Sequence, residues 1–86
     1  MFNFSTFSIS KIEDLQLQIH AKRDRCLAIE RRVQAVREAI PYMTDVDLFT
    51  AGTELAELRK EMAEHQMYIH AAQEQINKMH KPAMVI

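Results

Sequence analysis

The side chains of this 86-residue chain that could do chemistry are His20, His65, His70 and His80, the single Cys26, and the carboxylates Glu61 and Glu64. Imidazole, thiolate and carboxylate are zinc ligands, and such sites announce themselves by paired spacings. Neither the zinc-finger arrangement nor the Glu-x-x-His of bundle metal sites is present, and Glu61 and His65 stand only one helical turn apart. No glycine-rich phosphate loop and no recognisable Ser/His/Asp nucleophile set occurs. No metal, cofactor or catalytic residue is therefore assigned, and the chain reads as a non-enzyme. Cys26 sits in an apolar stripe, where a thiol behaves as a small hydrophobe.

That stripe is the dominant pattern of the sequence. Ile12, Leu15, Ile19, Lys22, Cys26, Ile29, Val33, Val36 and Ile40 recur in alternating steps of three and four. Leu48, Ala51, Leu55, Leu58, Met62, His65, Ile69, Ala72, Ile76 and Met79 repeat the pattern. Such steps keep every member on one face of a helix and suit packing against a second helix. Pro41 breaks the chain between the stripes. The expected fold is all-α: a long antiparallel helical hairpin, coiled-coil-like, assembling into a dimeric four-helix bundle or a larger helical oligomer.

The expected organisation is a single domain. An apolar N-terminal arm covers 1–9, helix one 10–40, a turn 41–44, helix two 45–80, and an apolar tail 81–86. Ser10 with Glu13, and Thr44 with Asp47, have the spacing of capping boxes that start helices. Gly52 is a weak point of helix two, marking a kink or a place where another backbone comes close.

Net charge is −1, but it is unevenly divided. Lys22, Arg23, Arg25, Arg31, Arg32 and Arg37 dominate helix one, whereas helix two carries Asp45, Asp47, Glu54, Glu57, Glu61, Glu64 and Glu74. In a hairpin turning near residue 43, facing positions have numbers adding to about 87. Arg25 with Glu61, Arg32 with Glu54, and Glu30 with Arg59 meet that condition, so the charges are expected to fix register. Lys22 and His65, the polar interruptions, fall in one layer and form a specificity layer. Lys22 is expected to snorkel outward, and protonating His65 beside it would add repulsion.

Both helices carry apolar residues beyond the seam: Phe49, Ala56, Ala63, Met67 and Ala71 on helix two, and Leu17, Ala21, Leu27, Ala28 and Ala35 on helix one. Helices that touch more than one neighbour show such width. Self-association, most simply as a dimer, is the expected use. One cysteine excludes an internal disulfide, and no stretch approaches a membrane span, so the expected location is the cytoplasm with no membrane partner.

The function expected is a non-enzymatic protein–protein interaction module, an adaptor, co-chaperone or inhibitor that self-associates and binds another protein. The candidate contact residues are Phe2, Phe4, Phe7, Arg23, Arg25, Arg31, Arg32, Arg37, Phe49, Val85 and Ile86. The apolar termini either cap the bundle or bind the partner, Phe2 and Phe4 as a strand added to a sheet edge. The alternative is an RNA- or DNA-binding hairpin regulator that uses the basic face of helix one. Against it stand the slight overall acidity and the lack of stacking aromatics on that helix.

Overall fold

A computed structural model describes the backbone of residues 4–80 and the side chains of residues 9–79. Two helices, α1 (Phe4–Ala39) and α2 (Asp45–His80), are joined by a single 3-10 turn at Ile40–Tyr42. They run antiparallel as one layer, and the chain measures 66 × 25 × 15 Å. The radius of gyration is 19.5 Å, whereas a compact chain of this length would have about 12 Å. The hairpin expectation holds for this single chain. No described helix is long and apolar enough to cross a membrane.

Local chemistry accounts for the helix ends at the turn. Pro41 stands at the start of the 3-10 turn, where its missing N–H goes unused. Thr44 then caps α2 reciprocally: the Asp47 N–H donates to Thr44 Oγ1 at 3.3 Å, and the Thr44 N–H to Asp47 Oδ2 at 3.4 Å. Asp45 and Asp47 place negative charge at the positive end of the helix.

The other end of α1 differs from expectation. The helix begins at Phe4, so Ser10 is an internal, exposed residue rather than the first cap. A capping pattern favours a start but does not forbid helix upstream, and residues 4–9 contain neither proline nor glycine. Residues 4–9 are therefore helical backbone, not an extended arm suited to pairing with a sheet edge. Phe2, Val85 and Ile86, and the side chains of Phe4 and Phe7, lie outside what is described.

Gly52 also resolves simply. α2 runs unbroken through it, and a Cβ built there meets nothing within 4 Å. No other backbone among the described residues approaches it.

The core is thin and follows the stripes. Each described buried residue is a stripe member: Ile12, Leu15, Ile19, Ile29, Val36, Ala51, Ala72 and Ile76. Ile12, Leu15, Ile19, Ala72 and Ile76 form one cluster, with Tyr68, Ile69 and Met79 packed around it at the end away from the turn. Ile29, 1% exposed, is the most deeply buried side chain described. Truncation there removes a central layer with little chance of collapse. Ile29→Ala is expected to lower the unfolding free energy by about 2–5 kcal/mol in urea titration. A loss under about 0.5 kcal/mol would show that this layer does not hold the helices together.

Candidate functional site

A two-helix layer has two faces, and here they differ. Stripe residues alternate between the two sides of the seam. One row contains Leu15, Lys22, Ile29 and Val36 on α1 with Ala51, Leu58, His65 and Ala72 on α2. The other contains Ile12, Ile19, Cys26, Val33 and Ile40 with Leu48, Leu55, Met62, Ile69 and Ile76.

The first row is closed over by polar side chains. Arg25 grips Glu61 bidentately, Nε to Oε2 at 2.6 Å and Nη2 to Oε1 at 3.0 Å. Arg32 grips Glu54 in the same way at 2.6 and 2.9 Å. The Tyr68 hydroxyl donates to Gln18 Oε1, and Lys22 Nζ lies 5.1 Å from the Tyr68 ring centroid. These contacts bridge the helices at three successive levels, and we call this side the closed face.

The second row is not closed. From Cys26 to the turn none of its members is buried: Cys26, Val33, Leu55 and Met62 are half-buried, while Ile40 and Leu48 are exposed. The expected Glu30–Arg59 pair belongs to this side, and it does not form among the described residues. The cross-helix grips all stand on the side of the first row. Along the second, a groove of about 330 Å³ is lined by Arg23, Asp24, Cys26, Leu27, Glu30, Gln66 and Ile69. Phe49, Ala56 and Ala63 are exposed on α2, with Phe49 79% accessible.

The polar layer is arranged otherwise than expected. Lys22 does turn outward, over the Tyr68 ring, where a cation is attracted to the π face. His65 Nε2 is 2.9 Å from Glu61 Oε2, so a proton on His65 would meet a carboxylate rather than Lys22.

The remaining candidates divide by their partners. Arg25 and Arg32 are engaged by Glu61 and Glu54, whereas Arg23, Arg31 and Arg37 have no carboxylate within ion-pairing distance among the described residues. Tyr42 and Val46, 88% and 76% accessible, join Phe49 at the turn end. The sequence pattern did not single them out, because Tyr42 lies outside any stripe and Val46 is a lone apolar residue in the first turn of α2. Tyr68 was likewise missed; its position flanking the seam, beside Glu61, was the available signal. No three His, Cys, Asp or Glu side chains among the described residues converge as metal ligands. Comparison with protein-family models, curated proteins and solved structures finds no match to this chain.

Ionisation of the closed face sets a pH dependence. Hydrogen bonding from Arg25 first, then from His65, lowers the Glu61 carboxyl to about 2 from its ordinary 4.5. Arg32 lowers Glu54 in the same direction. A depressed carboxyl stabilises the fold fully above its unfolded-state value, and the contribution fades as pH falls toward the folded value. The difference in Tm between the wild type and Glu61→Gln should thus be largest near neutral pH and vanish between about pH 5 and pH 2. A difference that stays constant through that range would contradict the bridging role of Glu61.

Proposed function

We propose that this chain is a non-enzymatic protein–protein interaction module, a helical hairpin that self-associates and binds a second protein as an adaptor, co-chaperone or inhibitor. The supporting observation is the contrast between the two faces. Polar side chains bridge one, while on the other Cys26, Val33, Leu55 and Met62 stay half-buried and Ile40 and Leu48 exposed, beside a groove that no cross-helix ion pair closes among the described residues. Large exposed aromatics at the turn end supply further anchors, and buried aromatics often carry much of an interface's affinity. The surface for the second protein is the turn end, Tyr42, Val46 and Phe49, together with Arg31, which lies off the open face.

Nucleic-acid binding by helix one is the weaker reading. Two of its five candidate arginines are held by carboxylates, and phosphate binding would have to displace those bidentate contacts. The cytoplasm is the proposed compartment, in keeping with a single free cysteine.

A photo-crosslinking residue in place of Tyr42, expressed in the native host, tests the reading. A discrete adduct with another protein is expected, lost in a Val46→Asp background and kept with Leu17→Asp, which alters an exposed site elsewhere. Adducts with nucleic acid, or a gel-mobility shift with RNA or DNA that weakens steeply as salt rises, would favour the alternative instead.

A further inference from the structure

We propose that the open face is covered by the open face of a second copy, through a two-fold axis parallel to the helices that lays α1 of each chain against α2 of the other. This deepens the reading of the chain as a self-associating hairpin and rests on it.

The first argument is area. The chain exposes 6923 Å², whereas a compact monomer of 10.0 kDa exposes about 5,200 Å². The excess is roughly twice the ~800 Å² that each partner contributes to a standard interface. A standard interface with a second copy on one face would thus remove about half of that excess.

The second argument is complementarity. An axis parallel to the helices leaves no freedom of register: the level of each α1 residue fixes its neighbour on α2 of the other copy. Glu30 then faces Arg59 of the second copy, supplying the ion pair that neither makes within its own chain. Leu27 comes against Ala63 of the second copy, a large side chain against a small one. Arg37 arrives beside Gly52 of the second copy, where an added Cβ would have open space. The half-buried row of Cys26, Leu55, Met62 and Ile69 becomes the shared core of a four-helix bundle.

The two copies of Cys26 fall at the same level and both face that core, which makes the sole thiol a reporter of the arrangement. Absolute mass by light scattering, with crosslinking by a short bis-maleimide, tests it. The wild type is expected at two-chain mass, with efficient Cys26 crosslinking. Ala63→Glu should reduce it to one chain at the same protein concentration, and Leu17→Glu should leave it unchanged. Glu30→Arg should raise the dimer Kd about tenfold or more, and adding Arg59→Glu should restore it. This reversible pair decides the matter if Ala63→Glu fails to fold. A two-chain wild type that is insensitive to Ala63→Glu and to the charge exchange, and does not crosslink at Cys26, would overturn this face while leaving self-association standing. A one-chain wild type would overturn both.

Discussion

An antiparallel seam admits one register at a time, and in this chain nearly every other feature depends on which one is taken. A slip of one heptad would carry each residue about 10 Å along the partner helix. Apolar layers would still meet apolar layers, so hydrophobic burial alone tolerates the slip. The bidentate grips of Arg25 on Glu61 and of Arg32 on Glu54 do not tolerate it, because each demands one partner at one level. Exposed ion pairs add little to stability, but they penalise the alternatives, and here they occur on the same face at consecutive heptads.

With the register fixed, the positions flanking each row decide the rest. On the closed side Gln18, Arg25 and Arg32 stand opposite Tyr68, Glu61 and Glu54 and bond across the seam. On the open side Arg23, Glu30 and Arg37 stand opposite Gln66, Arg59 and Gly52, where no ion pair forms among the described residues, and Cys26, Val33, Leu55 and Met62 stay half-buried. The polar layer fits the same scheme: Lys22 and His65 both belong to the closed row and are both satisfied there, by Tyr68 and Glu61.

Much of this was legible in the residues. Heptad spacing identified each side chain that is buried among those described, since the buried positions of a two-helix layer lie on its seam. Charge spacing identified two of three cross-helix pairs. The third, Glu30 with Arg59, has equally good spacing, yet it does not form within the chain among the described residues. The start of α1 was misplaced for a different reason: Ser10 and Glu13 have the chemistry of a cap, yet a helix ends only where something stops it. The interaction surface was legible only in outline. Phe49 belonged to a visible row, whereas Tyr42 and Val46 emerge from the geometry of the turn.

Spin-label distances across the seam test the register most directly. With Cys26 replaced by alanine, one label at position 24 is paired in turn with labels at 57, 64 and 71, three positions one heptad apart on the same exposed side of α2. Labelled chains are diluted with unlabelled ones so that only distances within a chain are read. The 24–64 pair is expected to give the shortest and narrowest distribution, with 24–57 and 24–71 both longer. A shortest distance at 57 or 71, or a broad distribution at all three, would contradict the single register on which both faces depend.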